Sequence, residues 1–322
     1  MARVSFRAMG TDVDVLVPAG MEPSASIARD MFAAWERRCS RFDPDSELSR
    51  LNAAPGSPVV VTSALFDAIA TAMSAAEATD GIFDPTVLHR VEELGYDRTF
   101  AQVAPSGPAD EAVTRPWTGA WREVRLDRAS RTVELPRGVG LDLGGIAKGM
   151  AVDASLEALI GAGVTPAAVD AGGDLAVVGT PPGLSDWLIA IDTNDGGHVV
   201  ALPHGALTTS STARRRWTRG DRDVNHLVDP RTGAPAATGI TSVTVSAHRC
   251  AQAEVAAKTA LLLGPEEGAA FLRHAGLSAL IVDDAGARHR IGRWIEPGVA
   301  DPPPATGRID LAGGAMTGDP VS

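Results

Sequence analysis

Cysteine is scarce in this 322-residue chain: Cys39 and Cys250 are the only two, far apart and without metal-type spacing, which argues against a disulfide scaffold and a thiolate zinc site. Aromatic residues make up 4%, and tyrosine occurs once, at Tyr96. Basic residues are outnumbered, 29 Lys and Arg against 40 Asp and Glu. The resulting charge of −11 argues against a general affinity for nucleic acid or an anionic membrane, and the one basic run, Arg214-Arg215-Arg216, is too local to reverse it. No apolar run reaches the length of a membrane span, and Arg3, Arg7, Asp12 and Asp14 interrupt any signal-peptide core near the start. A cytoplasmic setting, with neither a nucleic-acid partner nor a membrane span, is the expectation. The Walker and dinucleotide glycine fingerprints are also missing.

What is present is a globular composition, 44% hydrophobic, sufficient for a sizeable core in one large domain or two closely joined lobes. The stretch Leu141-Asp142-Leu143-Gly144-Gly145-Ile146-Ala147-Lys148-Gly149 reads as a strand end, a glycine turn and a helix start. Glycines let the backbone pass close to a bound group, and the opening N–H groups of a helix favour an anion there. Asp142 can hold a cation or a polar ring edge, and Lys148, on the first helical turn, has its charge free to reach a phosphate.

Along the chain, Val4 to Val17 alternates like a strand broken at Met9-Gly10-Thr11. A helix capped by Ser24 or Ser26 runs to Cys39, Ser46 caps a short helix, and Ser63 to Thr79 carries a clear apolar stripe ended by Gly81. Asp80 to Val87 is a rigid loop, because Pro85 forbids helix through Asp84. Residues 101–120 read as a loop. Strands at 124–126 and 132–135 precede the glycine turn, and helix Ala151 to Gly161 follows it. Next come strands at 167–170 and around Gly172-Gly173-Asp174, 188–192 and 199–202, then a hydroxyl-rich turn at Ala206 to Thr212 able to hold a diphosphate or only water. His226 to Gly233 groups an imidazole, a carboxylate and a guanidinium around what is also simply a good turn sequence. Strand 241–247 leads to an alanine-rich helix in which Glu254 and Lys258, four apart, share a face and can pair. A second helix at 266–275 and a last strand at 279–282 complete the folded part.

In combination and in this order, Met9-Gly10-Thr11, Asp45 to Asn52, Asp80 to Thr86, Asp142 to Asp153, Gly172-Gly173-Asp174 and His226 to Gly233 resemble the ApbE family, over roughly residues 4–283. The resemblance implies an α+β fold, with antiparallel sheets flanked by helices and two closely joined lobes around a flavin cleft. Residues 1–297 would form this domain and 298–322 a disordered Pro/Gly-rich tail. It also implies an FAD:protein FMN transferase, which moves FMN from FAD onto a Thr or Ser hydroxyl of an acceptor flavoprotein through a phosphoester, releases AMP and uses magnesium (Mg2+).

By position, His226 resembles the family's general base, and Asp142 and Lys148 its flavin and phosphate contacts. Met9, Phe42 and Ile82-Phe83-Asp84 resemble contacts to the adenosine half of FAD, and Val228 an apolar neighbour of the flavin. The family's metal positions fall on Gly145, through its backbone oxygen, and on Glu254, Ala257 and Lys258. Here the chain departs from the pattern, since Glu254 and Lys258 stand where Asp and Thr are usual, and a charged Lys258 cannot bind a metal. Its ammonium would instead sit near the metal position and pair with Glu254 or Asp142. Phe42 replaces a common Tyr and Ala213 an aromatic residue. The alternatives to a transferase are an FAD diphosphatase acting through water and a non-catalytic FAD-binding protein.

Overall fold

The computed structural model describes residues 1–103, 119–191, 198–219 and 222–294. The tail expected at 298–322 and most of the loop at 101–120 lie outside them. Eight strands form the main sheet: β1 (Ala2–Ala8), β2 (Thr11–Val17), β3 (Ala167–Ala171), β4 (Asp174–Val178), β5 (Gly205–Ser211), β6 (Ile240–Ala247), β7 (Ser278–Asp283) and β8 (Arg288–Ile291). They lie side by side in chain order, every neighbouring pair antiparallel. At the edge, β1 alternates half-buried and exposed residues, whereas β3 is buried along its whole length. A strand covered on both faces needs small or apolar side chains throughout, and Ala167, Ala168, Val169 and Ala171 supply them.

The segments between the strands cover the two faces. Helices α1 (Ala25–Cys39), α5 (Ala147–Gly161), α6 (Cys250–Leu263) and α7 (Pro265–His274) bury one face with clusters that include Phe32, Val152, Leu159, Leu261 and Ile281. The hairpin Trp187–Ile191/His198–Leu202 covers the other, with Trp187 fully buried. The long insertion between β2 and β3 builds a second lobe from α2 (Glu47–Asn52), α3 (Ser63–Ala78), α4 (Leu88–Glu93) and a three-stranded antiparallel sheet. Its core holds Leu48, Leu65, Ile69 and Phe83. The α+β architecture in two joined lobes agrees with the expectation from sequence.

Local differences have local causes. Most of Ala206 to Thr212, expected as a turn, lies in the inner strand β5: its β-branched threonines suit a pleated surface, and Thr209 and Thr244 hydrogen-bond across strands at 2.9 Å. Helix α5 starts at Ala147, earlier than the expected Ala151. Ser46 does cap α2, accepting from Ser49 N at 2.9 Å, but Ser24 donates its hydroxyl to Met21 O and Ser26 to Pro23 O, so neither caps α1. Strand β8, Arg288-His289-Arg290-Ile291, was not expected because its polar side chains hide the strand signal.

Helices α5 and α6 cap one another. Asp153 of α5 accepts from Cys250 N (2.8 Å) and Ala251 N (3.1 Å) at the start of α6, and Glu254 of α6 accepts from Gly149 N (2.9 Å) in the first turn of α5. The crossing is close at Gly149, where a Cβ would stand 2.7 Å from the Ala251 backbone. Gly149→Ala, a change that stabilises an isolated helix, will therefore destabilise this protein by about 1–3 kcal/mol, read as a lowered midpoint in urea denaturation. In the sheet, Asp170 lies opposite Asp14 and its carboxyl is pushed up to about 7, by burial first and then by Asp174 and Asp14, against a hydrogen bond from Gly173 N. The folded state thus holds a proton that the unfolded chain releases above pH 4, and stability falls as pH rises through this interval. Asp170→Asn, which keeps the acceptor for Gly173, will raise stability by roughly 1–3 kcal/mol at pH 8 and leave it unchanged near pH 4.

Candidate active site

The glycine turn is held from two directions before any ligand is considered. Asn52 donates to Leu141 O (2.9 Å) and accepts from Leu141 N (2.8 Å), while Asp142 N donates to Pro85 O (2.8 Å). Three separated sequence motifs thus meet at one turn. Asp142 Oδ1 then accepts from Gly144 N at 2.7 Å, closing the turn, and Oδ2 lies 3.2 Å from Arg41 Nε.

Beside this turn lies a cavity of about 680 Å³ between the lobes, walled by the turn, β5, the Arg41–Phe42 segment and the segment that carries His226. Its ends differ. Phe42, Tyr96, Phe100, Val91 and Val228 make one end apolar and aromatic. Arg41 stacks there, its guanidinium carbon 4.1 Å from the Phe42 ring centre and 4.5 Å from that of Tyr96, and both of its terminal nitrogens lack a hydrogen-bond partner among the described residues. A charged group, Lys148, Asp174, Glu254 and Lys258, lines the rest, and Asp142 joins the two, 3.2 Å from Arg41 Nε. Six cationic and four acidic side chains line the whole cavity, so a chain of charge −11 turns a net positive surface inward. The chain contains two lysines, Lys148 and Lys258, and both are here.

The two lysines differ in their partners. Lys148 Nζ lies 2.5 Å from Glu254 Oε1 and 2.6 Å from Asp174 Oδ2. Burial works against its charge, but Asp174 and Glu254 outweigh burial and hold Lys148 above the usual lysine range. Burial pushes Glu254 up, against the pull of Lys148. The expectation that the Lys148 charge is free for a phosphate is thereby corrected: two carboxylates already hold it. The expected pairing of Glu254 with Lys258 is corrected as well, because Glu254 turns to Lys148 and Gly149 N. Lys258 makes no ion pair or hydrogen bond among the described residues. Its ammonium lies 5.5 Å from the Phe83 ring centre and 3.0 Å from where a Cβ on Gly145 would be. Burial lowers its pKa, and the carboxylates of Asp142, Glu254 and Asp84 act in the opposite direction.

His226 enters from the segment between β5 and β6. Asn225 bridges that segment, donating to Ala236 O (3.0 Å) and accepting from Leu227 N (3.0 Å), and Arg90 of α4 donates to Gly233 O. Burial pushes His226 well below the ordinary imidazole range, and Arg215, Lys258 and Lys148 push it the same way. The imidazole is therefore uncharged at neutral pH and able to take a proton, and its Nδ1 has no hydrogen-bond partner among the described residues. Asp229 and Arg231, in contrast, pair with each other at 2.9 Å, and Arg231 reaches Leu262 O, so they pin the turn.

Of the residues singled out from sequence, Met9, Phe42, Asp142, Gly145, Lys148, His226, Val228, Glu254 and Lys258 line the cavity. Ile82, Phe83, Asp84 and Ala257 do not. Phe83 and Ala257 belong to the cores of the two lobes, Ile82 packs against the second of these, and buried Asp84 accepts from Thr86 N at 2.7 Å. Their part is to back the wall. Sequence reasoning did not single out Arg41, Tyr96, Asp174 or Arg215. Arg41 adjoins Phe42 and Asp174 follows the paired glycines, so a local signal existed for these two, whereas Tyr96 and Arg215 arrive through the fold.

An α+β protein with a deep anion-attracting cleft, aromatic at one end and supplied with an uncharged imidazole, belongs to the class that binds ring-bearing phosphate esters for group transfer. The family model described as "ApbE family" matches residues 9–281, and the chain belongs to the ApbE family. It is 33% identical over 261 residues to the FAD:protein FMN transferase of Treponema pallidum, covering 74% of this chain and 71% of that protein. Against the protein of the same name from Rhodobacter capsulatus it is 32% identical over 294 residues, with 87% and 55% covered. The crystal structure of the ApbE protein from Thermotoga maritima superposes with a TM-score of 0.80 at 28% identity, covering 90% of this chain and 96% of that one. The flavin transferase ApbE from Vibrio cholerae shares the fold, with a TM-score of 0.77 at 24% identity over 90% and 96%.

The different partners of the two lysines predict different costs on removal. Lys148→Met leaves Glu254 and Asp174 buried without their counter-charge and will destabilise the protein by about 3–5 kcal/mol. Lys258→Met removes no ion pair and will change stability by less than about 1 kcal/mol. Urea denaturation of the two variants measures both.

Proposed function

We propose that this chain is an FAD:protein FMN transferase that moves FMN from FAD to a Thr or Ser hydroxyl of an acceptor flavoprotein. The observation that carries the reading is the uncharged His226 imidazole lining a cavity of net positive charge with an aromatic end. FAD has the matching form, with flat rings at both ends and a dianionic diphosphate between them. The names borne by the relatives support the same reading.

In the step proposed, the acceptor hydroxyl oxygen attacks the phosphorus that bears the riboflavin. The bond from that phosphorus to the bridging oxygen breaks, and AMP leaves with the bond's electron pair. The hydroxyl proton passes to the His226 imidazole and then to solvent. Phosphoryl transfer relies on positioning and on neutralising charge. Lys148, fixed by Asp174 and Glu254, orients the start of α5, and Asp142 keeps the glycine turn closed.

Magnesium, which the family resemblance implies, does not fit the residues present. Both Glu254 oxygens are engaged, by Lys148 and Gly149 N, and Lys258 brings a positive charge to the position of a metal-binding hydroxyl. Among the described residues no group of three or more His, Cys, Asp or Glu side chains could hold a metal ion. No step is therefore assigned to a metal.

Incubation with FAD and an acceptor flavoprotein fragment, followed by intact-mass measurement of the acceptor, tests the reading. The acceptor should gain one FMN, and His226→Ala should slow the gain by about 100-fold or more. FMN and AMP formed with no gain on the acceptor would identify a diphosphatase, and FAD bound but unchanged a non-catalytic protein. The lowered pKa of His226 sets the pH dependence: kcat/KM will stay flat as pH falls from 8 to 6.5, because the free enzyme's base remains deprotonated there. A loss of kcat/KM that begins above pH 6.5 both in the wild type and in Asp170→Asn, which lacks the carboxyl pushed up to about 7, would count against His226 as the base.

A further inference from the structure

The disagreement between this site and a divalent cation points to what takes its place. We infer that the Lys258 ammonium is the cation that faces the FAD diphosphate, so that this chain binds FAD without a metal ion. The inference rests on the transferase reading of the cavity and adds the means by which the diphosphate is held.

Three observations carry it. First, Lys258 Nζ stands against Gly145, 3.0 Å from where a Cβ there would be, at the glycine turn that opens α5 and lines the cavity. Second, Asp142 and Glu254 are committed elsewhere, and of the Asp84 oxygens only Oδ2 is without a hydrogen-bond partner among the described residues. Glu254 serves Lys148 and Gly149 N, Asp142 serves Gly144 N and Arg41, and Asp84 Oδ1 serves Thr86. Lys258 consequently lines the cavity without an ion pair or hydrogen bond among the described residues. A recessed ammonium in that position lacks the partner that would offset its desolvation, and a diphosphate in the cavity supplies one. Third, the side chain cannot withdraw without loss: its surroundings are Phe83, the Gly145 backbone and the floor of the cavity.

The charge argument distinguishes ligands that differ only in phosphate. FAD carries the diphosphate and riboflavin carries none, so Lys258 should matter to the first and not to the second. The experiment is titration of the full chain with FAD and with riboflavin, followed by calorimetry, in MgCl2 and in EDTA. The wild-type protein should bind FAD with the same affinity in both buffers, to within about twofold. Lys258→Met should weaken FAD about tenfold or more and leave riboflavin unchanged, and Lys258→Arg should recover most of the loss. Wild-type affinity for FAD that rises tenfold with magnesium would overturn the inference while leaving the transferase reading intact. Equal weakening of FAD and riboflavin, or no weakening of either, would assign Lys258 a structural role and overturn it too. Failure of the wild-type protein to bind FAD in either buffer would sink the transferase reading itself, and this inference with it.

Discussion

The close crossing of α5 and α6 is the constraint on which the site depends. Helix starts leave N–H groups without internal partners, and here each helix supplies the carboxylate that the other lacks: Asp153 for α6 and Glu254 for α5. The exchange requires the helices to touch, and the bare backbone of Gly149 against Ala251 lets them. Because α5 begins at the glycine turn, the same contact fixes where Asp142 and Gly145 stand. Because α6 carries Lys258 one turn beyond Glu254, it also fixes the ammonium on the cavity floor. Packing and chemistry share one pair of helices, so neither can change alone.

Charge is distributed by the same logic. An acidic surface surrounds a cavity with a cationic majority, and among the charged groups on its floor one lysine is neutralised by two carboxylates while the other keeps its charge for the cavity. The first arrangement holds the fold in register over a long sequence separation. The second leaves a charge whose natural partner is a ligand. A substitution that exchanged these roles would preserve the net charge of the cavity and lose both effects.

Much of this was legible in the sequence because it is local. The β1–β2 hairpin at Met9-Gly10-Thr11, the Ser46 cap, the stripe on α3 and the glycine turn each follow from neighbours within a few residues. The order of six such motifs was enough to indicate the family and the fold. What escaped was pairing across distance. Glu254 and Lys258 are ideally spaced on a helix, yet Glu254 pairs with Lys148, 106 positions away, because the helix crossing brings a second lysine and a free N–H to it. Arg41 was not singled out, because its stacking over Phe42 and Tyr96 depends on α4 and the residues after it packing beside the Arg41–Phe42 segment. The hydroxyl-rich run at 206–212 reads as a turn by composition, and most of it becomes a strand because β4 and β6 are there to pair with it.

The presence of just two lysines, both on the cavity floor, has a practical consequence. Reagents that acylate primary amines scatter over the surface of most proteins, but in this chain every ε-amine belongs to one site. Of the two, Lys148 is clamped in its charged form, whereas burial moves Lys258 toward the reactive free amine. Apart from the α-amine of Met1, amine-directed chemistry on this protein is therefore site-directed chemistry, and a ligand in the cavity can be followed as protection of one residue.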